Sequence, residues 1–189
     1  VIIEASSHGL HQKRFSPLKF DLCVLTNISH DHLDYHKNMN HYIASKLSLF
    51  KFHMKSNGRA LINRDTDHFK KIKNSLRKSK VNHVILLDNS KRYGIKKIDI
   101  KEDNIYVDIY INSKLYAFKF KDLPLFQIRN FLLAVTSLSL MGFSENRMTK
   151  FSLNCPHVPG RMELAGKKSN GAKIYIDFAH TPDALKNVL

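Results

Sequence analysis

Cysteine is almost missing from this sequence: 189 residues hold two, Cys23 and Cys155, far apart and with no CxxC pair. That excludes a disulfide framework and a cysteine zinc knuckle as organising elements. Cys23 lies inside the apolar run DLCVLTNI and reads as a buried packing thiol. No stretch of eighteen apolar residues occurs, so a membrane-spanning helix is excluded, and no basic-then-apolar leader opens the chain. A reducing cytoplasm and no membrane partner are the corresponding expectations. Acidic residues are also scarce, 16 against 31 lysines and arginines, for a formal charge of +15. Such a charge invites a nucleic-acid reading. The lysines are spread through every segment, however, and travel with Asn and Ile, which describes a solvated basic surface, one that also attracts phosphate-bearing substrates.

Hydrophobic content of 43% with 25% charged residues is ordinary for a globular protein. There is no internal repeat and no low-complexity tract. The chain opens inside a strand-like run, VIIEA. It closes in TPDALKNVL, where Thr181 suits an N-cap and Pro182 the first helical position. Both ends therefore read as cuts through a larger protein.

VIIEA (1–5) and FDLCVLTN (20–27) are continuously apolar, the mark of strands covered on both faces of a parallel sheet. Ligands gather beyond the carboxyl ends of such strands, so the two ends are expected in one cleft. A helix at HYIASKLSLFKF follows, then a turn at SNGR (56–59), a strand at ALIN (60–63), a basic helix over 67–79 and a strand at VILLD (84–88). From 104 the period becomes two: IYVDIYI and LYAFKF alternate around Asn112–Ser113 as a hairpin. QIRNFLLAVTSLSLM reads as a buried helix stopped by Gly142, with Ser144 placed to cap a short helix. CPHVPG (155–160) reads as a linker before two strands that turn around Ser169–Gly171.

The chemistry concentrates in SHDHLDYH, which packs three histidines and two aspartates into residues 29–36. On the next helix Ile43, Leu47 and Phe50 form the core-facing stripe. Lys46 shares that stripe. Either its stem packs while the ammonium reaches water, or it sits in a restricted place where desolvation lowers its pKa. A neutral amine of that kind is nucleophilic, and a modified lysine tolerates a divalent cation better than an ammonium does. Glu4, a carboxylate ending an apolar strand, also needs a cation or N–H donors. Glu4, His32 and Lys46 could meet over one cation.

Three other motifs fail. His30-x-His32-x-Asp34-x-His36 is one residue too long at its end for the zinc-hydrolase run H-x-H-x-D-H. GRMELAGKKS (160–169) has five residues between its glycines and leads into a strand, whereas a phosphate loop needs four and a helix N-terminus. Asn27-Ile28-Ser29 is a glycosylation sequon without a secretory signal.

EASSHGL, TNISHDHLDYH, YIASK, GRMEL and DFAHTPDAL, in this order, resemble the Mur ligase family, and among its branches the one adding the third residue of the peptidoglycan stem peptide. The resemblance covers nearly the whole chain. It implies an α/β fold. Residues 1–157 would be the C-terminal part of a central ATP-binding domain, a mostly parallel sheet plus a β-hairpin. Residues 158–189 would be the first strands of a truncated Rossmann-like C-terminal domain.

The implied activity is ATP-dependent amide-bond formation through an acyl phosphate. Meso-diaminopimelate or L-lysine would be joined to UDP-N-acetylmuramoyl-L-Ala-D-Glu. The implied partners are that muramoyl-dipeptide, ATP and an amino acid, with Mg²⁺ as cofactor, no nucleic acid and a monomeric protein. Glu4 and His32 match magnesium-site positions, and Lys46 matches a lysine carried as a carbamate, so these three would be catalytic and metal-binding. Ser6, Gln12 and Arg14 match positions that hold the muramoyl-dipeptide, Arg14 being suited to a carboxylate or phosphate. Asn130 matches an adenine-contacting asparagine; Arg161 and Asp177 match nucleotide positions, for phosphate and ribose.

His30 and His36 would be loop or supporting residues, and Asp31 and Asp34 would cap the next helix or orient His32. The adenine region departs from Gly-x-Phe-Asn-x-x-Asn, with Pro124 at the glycine and Gln127 at the first asparagine. Phe178 stands where tyrosine is common. The family's Gly-rich phosphate loop, UDP-binding domain and amino-acid selectivity motif are not in these residues, so the fragment alone is expected to be inactive. A degenerate ligase remnant and a basic nucleic-acid-binding module are the alternatives.

Overall fold

The computed structural model describes residues 1–189 except 82, 88, 89, 103, 122, 146 and 149–157. It is a mixed α/β protein that divides into two compact units, Val1–Asp88 and Asn89–Leu189.

The first unit is built on a parallel three-stranded sheet in the order β1 (Phe20–Leu25), β2 (Met54–Asn63), β3 (Val84–Leu87). Parallel strands require crossover helices, and α3 (Met39–Phe52) and α4 (Phe69–Lys78) supply them, with α2 (Leu33–His36) preceding α3 and α1 (Ser7–His11) preceding β1. Asn38 starts α3 by accepting the His41 N–H on its side chain at 3.0 Å. Ile43, Leu47 and Phe50, the stripe expected from spacing, are all buried. They join Cys23, Leu25, Ala60 and Ile62 from the sheet and Ile72 and Leu76 from α4 in one core. Each such aliphatic side chain contributes roughly 1.5–3 kcal/mol by leaving water. Burial pushes the Cys23 thiol up to about 12, so it is an inert packing group.

Two expectations for this unit are corrected. VIIEA forms no strand: among the described residues none pairs with it, and Val1 and Ile2 are exposed. An apolar run becomes a strand only when a neighbour completes its hydrogen-bond ladder. SNGR does not end an element but lies inside β2. Phe20 faces Met54 while Leu22 faces Arg59, so the intervening residues of β2 bulge out of register.

The second unit begins with β4 (Tyr93–Lys101), β5 (Asn104–Ile111) and β6 (Lys114–Lys121), an antiparallel meander. The expected hairpin is its β5–β6 half. Asn112 and Ser113 turn it with φ of 49° and 68°, the two positive angles of a tight two-residue loop. Ile105, Val107, Ile109 and Ile111 are buried on one face. The helix α5 (Leu125–Leu140) packs on this sheet, Phe131 meeting Phe118 at 5.0 Å and Phe120 at 4.9 Å edge-on. Gly142, at φ 85°, ends it, and the Phe143 N–H reaches back to the Leu138 carbonyl.

A hairpin of β7 (Glu163–Lys167) and β8 (Lys173–Ile176) follows, then α6 (Pro182–Val188), capped by Thr181 through the Ala184 N–H. Part of the expected linker, residues 155–157, lies outside the described residues.

Candidate functional site

The loop after β1 is braced from β2's far end. The Ile28 N–H donates to the Thr66 hydroxyl at 2.7 Å and to the Asn27 side-chain oxygen, and Thr66 donates onward to that same oxygen at 3.1 Å. Thr66 and Ile28 are both buried. From this anchor the chain runs through His30 and Asp31 to His32, which adopts a left-handed backbone (φ 55°) at the entrance to α2. Asp31 holds His32 twice: Oδ1 accepts its backbone N–H at 2.8 Å, and Oδ2 lies 3.4 Å from Nε2. Asp31 is thus the residue that orients the imidazole.

Around His32 the side chains are almost all rings. His8 of α1 stands edge-on to it at 4.8 Å, and Tyr42 of α3 meets it at 6.1 Å. His8 also contacts Tyr35 at 4.2 Å and His36 at 5.5 Å. This packing places the segment after VIIEA beside the segment after β1, although VIIEA itself is not a strand of the sheet. His36 is buried at 3% exposure, its Nδ1 is 3.5 Å from the Ser45 hydroxyl, and its Nε2 has no hydrogen-bond partner. Burial first, then the neighbouring His8, His11, His32 and His41, hold its pKa below the ordinary histidine range. Among the described residues the Ser7 Oγ and Thr136 Oγ1 hydroxyls are also buried without a hydrogen-bond partner.

Lys46 points into the same neighbourhood. It is half-buried, with its ammonium 5.1 Å from the centroid of the Tyr42 ring. Burial lowers its pKa, against the opposing pull of the Asp31 and Glu4 carboxylates. Of the two readings of its stripe position, the partial burial and the lowered pKa favour the restricted amine over an ammonium free in water. Burial and Asp31 raise the Tyr42 phenol to about 12, so that ring stays neutral. Glu4 is exposed and acts on Lys46 through its charge. His32 and Lys46 thus share the Tyr42 ring, while Glu4 bears on Lys46 only by charge. Among the described residues no three His, Cys, Asp or Glu side chains group closely enough to hold a metal by themselves.

Ser6 caps α1, its hydroxyl accepting the Gly9 N–H at 3.1 Å. Gln12 follows α1 and donates from Nε2 to the Tyr35 hydroxyl at 3.1 Å. Arg14 is exposed.

The nucleotide candidates belong to the second unit. Gln127 and Asn130 are one turn apart on α5, and the Asn130 amide donates to Gln127 Oε1 at 3.3 Å. Pro124 is the N-cap and offers no side-chain cap. Arg161 lies over the Phe178 ring at 5.4 Å. Asp177 directly follows β8 with both oxygens occupied, accepting Met162 N–H at 2.8 Å and Ala179 N–H at 2.7 Å. A carboxylate keeps further lone pairs beyond those two. Gly160 donates to Glu163, and a Cβ there would meet the Phe178 ring at 2.6 Å.

Sequence reasoning singled out neither His8, Tyr35 nor Tyr42 for this region. Their signal was weak, since a ring at helical spacing is ordinary core composition until its neighbours are known. Among the described residues no helix is long and apolar enough to cross a membrane.

Comparison with known proteins gives a consistent outcome. The Mur ligase middle domain matches residues 1–138. A UDP-N-acetylmuramoyl-L-alanyl-D-glutamate–2,6-diaminopimelate ligase of Rickettsia bellii (strain RML369-C) is 35% identical over 186 residues, spanning 98% of this chain and 38% of that protein. The ligase of the same name from Aquifex aeolicus (strain VF5) is 35% identical over 192 residues, spanning 100% of this chain and 37% of its own length. The chain thus spans about 38% of the curated relatives it matches. A solved structure of a ligase with this name superposes with a TM-score of 0.76 at 28% identity, over 97% of this chain and 38% of that one. The MurF ligase of Thermotoga maritima in complex with ADP shares the fold, with a TM-score of 0.75 at 19% identity over 97% of this chain and 41% of that one. The ordered motifs of this chain and its parallel sheet agree with these matches: the chain belongs to the Mur ligase family.

Proposed function

We propose that the protein to which this chain belongs is an ATP-dependent ligase that adds the third amino acid to UDP-N-acetylmuramoyl-L-Ala-D-Glu during cytoplasmic peptidoglycan synthesis. The names of its relatives favour 2,6-diaminopimelate over L-lysine as that amino acid. The observation that carries the reading is the restricted lysine. The Lys46 ammonium stands 5.1 Å from the Tyr42 ring centroid, and burial lowers its pKa against the opposing pull of the Asp31 and Glu4 carboxylates. A lysine so placed has more neutral amine than one in water, and neutral amine plus carbon dioxide yields a carbamate and a proton. By the family resemblance, Glu4, His32 and a carbamylated Lys46 would be the magnesium-site residues.

The donor chemistry fits Mg²⁺. This ion keeps several waters and binds through one or two carboxylates plus substrate phosphates. Glu4, a Lys46 carbamate and His32 would hold it without a fourth protein ligand, and an unmodified ammonium would repel it. Bound there, the ion would neutralise charge between two anions.

ATP would pass its γ-phosphoryl to the D-glutamyl carboxylate, and the incoming amine would then displace phosphate from the acyl phosphate. The chain's own residues chiefly position and neutralise. Ser6, Gln12 and Arg14 would hold the muramoyl-dipeptide, the guanidinium pairing with a carboxylate or phosphate. Gln127 and Asn130 would present amides to adenine. Arg161 would meet phosphate, and Asp177 a ribose hydroxyl through its unused lone pairs. Residues 1–157 would close the central domain and 158–189 open the next, in a monomer that binds no nucleic acid.

The test is direct. Full-length protein is given ATP, the muramoyl-dipeptide and either meso-diaminopimelate or L-lysine, and ADP release is followed. Release that depends on both the dipeptide and diaminopimelate supports the reading; a protein that hydrolyses ATP with no amino-acid dependence, or binds duplex DNA with a steep salt dependence, removes it.

A further inference from the structure

One hydroxyl ties together the two segments this site requires in register. Tyr35 Oη accepts a hydrogen bond from Gln12 Nε2 at 3.1 Å and pairs with His11 Nδ1 at 2.9 Å. Gln12 and His11 belong to the segment proposed to hold the muramoyl-dipeptide. The Tyr35 ring lies 4.2 Å from His8, and His8 stands edge-on to His32 at 4.8 Å. A single side chain therefore touches the substrate segment directly and His32 through one intervening ring.

The local backbone cannot do this job. The helix α2, which carries Tyr35, is four residues long, and the residues flanking it, His32 and Lys37, have φ of 55° and 65°. A helix so short is unstable by itself, and left-handed angles at non-glycine residues persist only when surrounding contacts impose them. Gln12 in turn is exposed and follows a five-residue helix. Unheld, its long side chain samples many rotamers, and ordering it on binding costs affinity.

We propose that Tyr35 is a positioning residue: its hydroxyl pre-sets the Gln12 amide for the muramoyl-dipeptide, while its ring, through His8, seats His32. The proposal rests on the ligase reading above. The two halves of the role separate by chemistry, because phenylalanine removes the hydroxyl and keeps the ring.

In the full-length protein, Tyr35→Phe is expected to raise KM for the muramoyl-dipeptide about 3- to 10-fold, the value of one lost hydrogen bond. It should leave kcat, KM for ATP and the unfolding temperature near wild type. Tyr35→Ala, which also removes the ring, should lower kcat in addition. Gln12→Ala combined with Tyr35→Phe should cost no more than Gln12→Ala alone, because the two act as one unit. Several outcomes overturn the proposal: an unchanged dipeptide KM in Tyr35→Phe, additive effects in the double variant, or equal losses in kcat and both KM values with a lowered unfolding temperature. Failure of the wild-type protein to form any ligated product would instead remove the ligase reading itself.

Discussion

The Lys46 ammonium lies 5.1 Å from the centroid of the Tyr42 ring, and His32 meets that same ring edge-on at 6.1 Å. Both groups thus contact one ring, and burial holds the amine partly out of bulk water. A lysine in the middle of a core-facing stripe is otherwise an unfavourable choice, so its presence points to chemistry.

Removing that amine should therefore remove function and leave the fold. Lys46→Ala in the full-length protein is expected to cut amino-acid-dependent ADP release by about 100-fold or more, the scale for losing an electrostatic contributor. Added bicarbonate should not restore it, because alanine has no amine to carbamylate. Turnover at the wild-type level would end the assignment of Lys46.

The buried imidazole of His36 predicts a pH response of stability. Its folded pKa is below the 6.5 of a free histidine. Below that value the unfolded chain takes up a proton that the folded chain resists. Stability is thus fully present above about pH 6.5 and is lost as pH falls through and below it. Urea midpoints measured between pH 7.5 and 5.5 should fall, and more steeply in wild type than in His36→Gln. Parallel slopes would assign the response to other groups.

The brace under the loop after β1 is a stability element. Thr66→Val keeps the shape of the side chain but leaves the Ile28 N–H with only its contact to Asn27, and deprives the Asn27 oxygen of its hydroxyl donor. A cost of about 1–3 kcal/mol is expected for this buried site, read from denaturant unfolding. Thr66→Ser keeps the hydroxyl and should lose less.

Gly160 should resist substitution for two reasons. Its φ is 68°, and a Cβ would stand 2.6 Å from the Phe178 ring. Gly160→Ala should destabilise by roughly 1–3 kcal/mol. Adding Phe178→Ala should return only the steric part, because the left-handed backbone remains.

Features set by local spacing could be read from the residues alone. Asn112–Ser113 turns the hairpin, Gly142 stops α5 and Thr181 with Pro182 starts α6, each where its own backbone chemistry places it. Lys46 was identifiable for the same reason, since a helix converts its place between Ile43 and Phe50 into a place on the buried face. The strand β4 was not legible. A bulge between Ile95 and Lys97 breaks its alternation, and its pairing with β5 supplies what its pattern lacks. VIIEA shows the converse, an apolar run left exposed without a partner strand.

By itself the sequence determined the α/β class, the family's ordered motifs and the place of Lys46 on a core-facing stripe, because these depend on residue type and short-range period. Only the tertiary structure decided that His8 and Tyr42 pack against His32 and Tyr35 against His8, that Asp31 accepts the His32 N–H and lies beside its imidazole, and that His36 is buried with a ring nitrogen unpaired. The physical reason is that desolvation and ring packing arise between segments distant along the chain, where no local pattern records which neighbour will arrive.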